Sequence, residues 1–104
     1  MKTILVSKKM EETIKKLDNK GMKKELKAIY MAISLLERLD NILNSSKVRK
    51  IPGENMYVYK VNPNLRMVFT LSKIEDGTQG YILLDVFNHD DYVTFLNKNG
   101  TSMT

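Results

Sequence analysis

"NMYVYKVNPNLRMVFTL", residues 55–71, decides how the rest of this chain is read. Two runs rich in valine, tyrosine and phenylalanine flank "NPN" at 62–64, a turn signal, so the stretch reads as strand, turn, strand. Working outward, "KVRKI" (47–51) precedes it and "GYILLDVF" (80–87) follows it. Both have the same β-branched and aromatic character, and "PGE" (52–54) and "EDGTQG" (75–80) separate them from the hairpin. Together these segments predict an antiparallel meander of three or four strands.

The first 47 residues follow another pattern. "TILVS" (3–7) predicts a short strand, and Ser7 is placed to cap a helix that begins at once. Met10, Ile14 and Leu17 recur at i, i+4, i+7, one face of that helix. "DNKG" (18–21) ends it, with Gly21 as a left-handed C-cap. A longer helix is expected over 22–43, its apolar stripe held by Met22, Leu26, Ile29, Ile33, Leu36 and Leu43. "NSSK" (44–47) is a loop. At the other end, "DDYVTFLNK" (90–98) predicts a short helix with Tyr92, Phe95 and Leu96 facing inward, and "NGTSMT" (99–104) reads as a frayed tail. The fold class is α+β: an N-terminal strand, an αα-hairpin packed on an antiparallel three- to four-stranded sheet, and a short C-terminal helix. Residues 1–97 are expected to form a single domain, with 98–104 a disordered tail. The helix pair must bury its seam on one sheet face, which leaves the other face freer for function.

At 104 residues the chain can bury a real core as one domain. It has no cysteine, which excludes disulfides and thiolate metal sites and fits a reducing cytoplasm. "MKTILVSKKMEE" is too short an apolar run for a signal-peptide core, and no stretch approaches the roughly 18 apolar residues of a membrane span. A cytoplasmic protein without membrane association is expected. Charge is unevenly spread. Residues 1–50 carry 13 basic and 6 acidic residues, a net +7, and residues 51–104 carry 4 basic and 6 acidic, a net −2. A basic half suits an anionic partner such as nucleic acid, and it equally suits the solvated faces of lysine-rich helices.

"NHDDY" (88–92) contains the single histidine. His89, Asp90 and Asp91 are adjacent, so their side chains diverge. With no second histidine and no thiolate, a metal centre is not expected, and no cofactor is implied. Asn88 and Asp91 instead form an N-x-x-D pattern at a helix start, where the dipole also favours the two aspartates. His89 is either structural or a group that takes and gives a proton near neutrality. Lys60 and Arg66 flank the "NPN" turn, and their spacing allows both on one sheet face. A guanidinium at 66 matches phosphate geometry. Tyr92, one helical turn past His89, either stacks on a base or joins the core. A face bearing Lys60, Arg66, His89 and Tyr92 can bind a phosphodiester, stabilise extra negative charge on phosphorus, and move a proton. Cleavage of RNA through its own 2′-hydroxyl needs no more. No serine pairs with His89 in the sequence, and no glycine-rich phosphate loop opens a helix.

These pieces resemble the RelE/ParE superfamily of toxins from type II toxin–antitoxin modules. The helical "MKKELKAIYMAISLLER", the unit "VRKIPGENMYVYKVNPNLRMVFTL" and the closing "YILLDVFNHDDY" carry the resemblance, which spans residues 3–96. It implies a small toxin that cleaves mRNA in the ribosomal A site without metal, leaving a cyclic phosphate, and that is held in check by a cognate antitoxin protein. By position, the resemblance makes Arg66 the residue that stabilises the phosphorane and Lys60 its basic neighbour. It makes His89 the proton-transfer group and Tyr92 the residue that positions the nucleotide. The chain departs from the pattern at Val58, where some members carry lysine, and in its net-negative second half. Those departures leave room for two alternatives: a ParE-like inhibitor of DNA gyrase, and a catalytically inactive relative that only binds an antitoxin.

Overall fold

The computed structural model describes residues 3–39, 42–73 and 79–98. Nine elements follow in order: β1 (Thr3–Val6), α1 (Lys8–Asn19), α2 (Lys23–Arg38), a 3₁₀ turn (Ile42–Asn44), β2 (Val48–Lys50), β3 (Tyr57–Asn62), β4 (Leu65–Lys73), β5 (Gln79–Asn88) and α3 (His89–Lys98). The meander expected to have three or four strands has four, paired antiparallel, β2 with β3, β3 with β4, and β4 with β5. The sheet has a fifth member whose partner the sequence did not identify. β1 lies parallel to β5, Thr3 opposite Gly80 through Val6 opposite Leu83, giving the order β1-β5-β4-β3-β2. Ten-residue β5 is the longest strand among the described residues, and β1 pairs with four of its residues along the outer edge.

Local signals set the helix ends. The Ser7 hydroxyl accepts the Met10 N–H at 3.0 Å and donates to the Leu84 carbonyl at 2.6 Å, so one side chain both caps α1 and ties it to β5. Gly21 has φ +69°, the left-handed conformation expected after α1. The second helix is shorter than its apolar stripe suggests. It stops at Arg38, Leu39 is extended, and Leu43 sits in the 3₁₀ turn rather than on the helix. The sequence continues there into Asp40 and Asn41, residue types that disfavour helix interiors. At the other end of the chain, Asn88 Oδ1 accepts the Asp91 N–H at 2.8 Å, the expected cap of α3. The turn at 75–80 lies largely outside the described residues, and the tail at 99–104 does so entirely.

Strand alternation divides the apolar residues between two cores. Tyr59, Met67, Phe69, Tyr81 and Leu83 pack with Met10, Ile29, Ala32 and Leu36 of the helix pair. Phe69 is fully buried at the centre, stacked on Tyr57 (ring centroids 5.7 Å apart) and edge-on to Tyr81 (5.4 Å). The opposite face holds a smaller core of Ile51, Val58, Val68 and Leu96, with Phe87 stacked on Phe95 at 4.9 Å. That second core lies beneath α3, which covers part of this face.

Asp85 is the buried charged residue among those described, at 6% exposure. Its carboxylate accepts the Thr13 hydroxyl at 2.6 Å and the Val86 N–H at 2.8 Å, which joins α1 to β5. Thr13→Val removes one of the two donors to the buried Asp85 carboxylate and leaves it only the Val86 N–H. It is expected to cost about 1–3 kcal/mol of stability by urea titration, and an unchanged midpoint would contradict the role given to this contact.

Candidate nucleic-acid interface

The "NPN" turn sets the register of the hairpin. Asn62 Oδ1 accepts the N–H groups of Asn64 (2.8 Å) and Leu65 (2.9 Å), the Asx-type turn that asparagine favours, and Pro63 presets the backbone between them. A bulge between Lys60 and Asn62 completes the junction, and Lys60 pairs directly with Arg66 across it. Tyr59 and Met67 point toward the helix pair. Lys60 and Arg66 therefore project from the opposite face together with Val58 and Val68.

Arg66 is half-buried and partly committed. Its Nη1 donates to the carbonyls of Asn62 (2.9 Å), Pro63 (3.2 Å) and Leu65 (3.2 Å). Nε and Nη2 make no hydrogen bond among the described residues, so one arm of the fork fixes the group while two donors stay available. Asp85 turns to Thr13 and does not pair with Arg66.

Helix α3 brings the other two residues expected at the site. His89 is its exposed first residue, and Tyr92 follows one turn later, half-buried. His89, Tyr92 and Leu96 lie on the side of α3 that lines a concavity of about 620 Å³ shared with Lys60 and Arg66. All four site residues expected from sequence thus meet at one concavity. Asp91 lies on the side of α3 that faces another cleft, and Asp90 is exposed. The cluster "HDD" does not converge on one point, and no group of three potential metal ligands occurs among the described residues.

Three further cations line the same concavity: Lys47, Arg49 and Lys50. Arg49 carries the most weight, because it pairs with Val58 and shares the face of Lys60 and Arg66. A sequence signal for it existed. Val48 is the inward residue of the short strand, so its neighbour Arg49 must point the other way. Among the described residues, five Lys and Arg line the concavity and no carboxylate does. Such a surface attracts polyanions and offers charge-assisted hydrogen bonds to phosphate.

Burial pushes the Tyr92 hydroxyl above the ordinary value of 10.0, while the positive charges of Arg66 and Arg49 pull it back. Burial alone raises Tyr59. For both groups folding favours the neutral phenol. Their contribution to stability is therefore intact below about pH 10 and is lost as the pH rises through the folded-state values. The Tyr59 and Tyr92 phenols are expected to ionise late in an ultraviolet pH titration, and the Tyr92 transition should be absent in Tyr92→Phe. In Arg49→Gln the Tyr92 transition should move upward. No movement would mean that the Arg49 guanidinium does not act on that hydroxyl.

No protein-family model matches the sequence, and no curated protein matches it. Solved structures do match. The YoeB/ParE toxin from Agrobacterium tumefaciens superposes with TM-score 0.67 at 13% identity, over 86% of this chain and 99% of that one. A chain of the E. coli DinJ–YafQ complex gives TM-score 0.65 at 14% identity, over 88% and 97%. A metal-bound toxin from Helicobacter pylori gives 0.62 at 24% identity, over 88% and 98%. The fold is that of these solved structures, over 86–88% of this chain and 97–99% of each of theirs.

Proposed function

We propose that the protein is the toxin of a toxin–antitoxin pair and cleaves mRNA on the ribosome by attack of a 2′-hydroxyl on the neighbouring phosphorus. The observation that carries this reading is the meeting of Arg49, Lys60, Arg66, His89 and Tyr92 at one concavity that no carboxylate lines among the described residues. In the reaction the P–O2′ bond forms and the P–O5′ bond breaks. The products are a 2′,3′-cyclic phosphate and a 5′-hydroxyl, and no water is consumed. One proton leaves the 2′-oxygen and one arrives at the 5′-oxygen, and His89 is positioned to carry one of them. Arg66, seconded by Arg49 and Lys60, stabilises the additional charge on the phosphorane oxygens. Tyr92, kept as a neutral phenol, offers a hydroxyl donor and a ring face to a base.

A protein antitoxin is part of the same proposal, because a chain of this fold occurs in the E. coli DinJ–YafQ toxin–antitoxin complex. Gyrase inhibition is the less favoured reading, since it gives no role to His89 beside Lys60 and Arg66.

Ribosomes programmed with a defined mRNA provide the test. New 5′ ends within the A-site codon are expected by primer extension. Their absence, where an active toxin of this fold cuts under the same conditions, would overturn the nuclease reading. Trapped gyrase–DNA cleavage complexes would replace it.

A further inference from the structure

Leu84 of β5 has no partner of its own across β4. Val68 lies opposite Asp85 and Phe69 opposite Leu83, so Leu84 is one extra residue, a β-bulge. Its effect is a change of phase. In a regular strand, alternation from Leu83 would send residues 85 and 87 toward the helix pair and 86 away from it. Instead Leu83 and Val86 both pack in the core beneath the helix pair, while Leu84 and Phe87 pack in the core beneath α3. Phe87 then stacks on Phe95 of α3 at 4.9 Å and lies opposite Arg66 on β4. The next residue, Asn88, caps α3, and His89 begins it.

Side chains hold the bulge in place. The pairing of β1 with β5 ends at Val6 opposite Leu83, just before it. Beyond that point the Ser7 hydroxyl donates to the Leu84 carbonyl at 2.6 Å. Asp85 Oδ1 accepts the Val86 N–H at 2.8 Å and the Thr13 hydroxyl at 2.6 Å. Asp85 is buried, yet it does not line the concavity of the candidate site.

We propose that Asp85 is a positioning residue for RNA cleavage: it holds the bulge that turns Phe87 outward and so lays α3, with His89 and Tyr92, over the cations of β2, β3 and β4. The proposal rests on the nuclease reading for the reaction whose rate is affected, and on the fold alone for the placement of α3. It divides the site in two. Arg49, Lys60 and Arg66 stand on strands whose register is set by the "NPN" turn and the pairing of β2 with β3. His89 and Tyr92 reach the same concavity only through the end of β5. A loosened bulge therefore spares phosphate binding and costs the chemical step. The charge of Asp85 is not required. Both hydrogen bonds fall on one oxygen, which an asparagine amide also supplies.

The test compares full-length wild type, Asp85→Ala, Asp85→Asn and Thr13→Val under conditions where each is folded. Ile29→Ala, in the core on the helix side, is the control for lost stability. Asp85→Ala is expected to lower the single-turnover rate on ribosome-bound mRNA by about tenfold to a hundredfold, the scale of a misplacement near 1 Å. Affinity for a short single-stranded RNA should stay within about twofold, because the strand cations keep their places. Two spectroscopic readouts report on α3 directly. The NMR contacts between the Phe87 and Phe95 rings should weaken. The Tyr92 transition should fall toward its ordinary value of 10.0 as the burial that raises it is lost. Asp85→Asn should restore all of these. Thr13→Val, which keeps the Val86 bond, should move them the same way by less. Ile29→Ala should lose stability and move none of them. Ring contacts and a Tyr92 transition unchanged in Asp85→Ala and Thr13→Val would overturn the proposal. So would a rate loss no larger than that of Ile29→Ala, or RNA affinity falling in parallel with the rate. A wild type that cuts no mRNA sinks the nuclease reading instead, and the two spectroscopic readouts then decide whether Asp85 places α3.

Discussion

Arg66→Ala is expected to slow RNA cleavage by about 10²–10³-fold, the usual cost of removing one preorganised donor from a developing oxyanion. The residue is suited to that role because its side chain is already placed. Nη1 is anchored on three carbonyls around the Asn62–Leu65 turn, so the remaining donors need no ordering when a phosphate arrives. Arg66→Lys is expected to recover only part of the rate. A single ammonium cannot hold the turn and also present a fork. Circular dichroism should match wild type, because the lost hydrogen bonds sit at a surface turn and are worth about 1 kcal/mol each at most. Single-turnover rates on ribosome-bound mRNA make the measurement. A rate within a few-fold of wild type would remove Arg66 from the chemistry.

Phe69→Ala is expected to cost about 3–5 kcal/mol, a large share of the stability of a domain this size. The ring is fully buried between Tyr57 and Tyr81, and its removal opens a cavity where the helix pair meets the sheet. Those neighbours are aromatic rings held by strand backbone, so the site collapses poorly around the void. Equilibrium urea unfolding checks this. Phe69→Leu should fall well short of the alanine cost, and equal losses in the two variants would mean that ring contacts, not volume, dominate.

Much of this architecture was legible because its signals are local. Ser7, Gly21, Asn88 and "NPN" each act within a few residues, and each sits where its pattern placed it. The strands of the meander announced themselves through Val, Tyr and Phe alternating across turn residues. What was not legible depended on contacts distant in sequence. Pairing of β1 with β5 joins residues 77 positions apart, as Thr3 opposite Gly80, and no short-range pattern encodes it. The end of α2 was obscured because Leu43 continued the apolar periodicity after the helix had stopped.

The candidate site divides in the same way. Lys60, Arg66, His89 and Tyr92 stood out by residue type, and the hairpin register then placed the first two side by side. Arg49 was missed because it was counted among the charges of a basic N-terminal half. In the fold, β2 carries it to the face shared with β3 and β4. The contrast between a +7 half and a −2 half concealed a mixed patch. Lys47, Arg49 and Lys50 come from one half, Lys60 and Arg66 from the other, and the aspartates near His89 lie off the concavity.

The central claim is that this concavity cleaves RNA through the substrate's own 2′-hydroxyl. An mRNA with one 2′-deoxynucleotide at the cleaved position tests it most directly, beside a matched mRNA with the deoxynucleotide three positions away. Both are placed on ribosomes with the wild-type protein. The first is expected to remain uncut at that position. The second should be cut normally, yielding a 2′,3′-cyclic phosphate. Cleavage of the first at an undiminished rate would contradict the claim, because the attacking oxygen would then have to come from elsewhere.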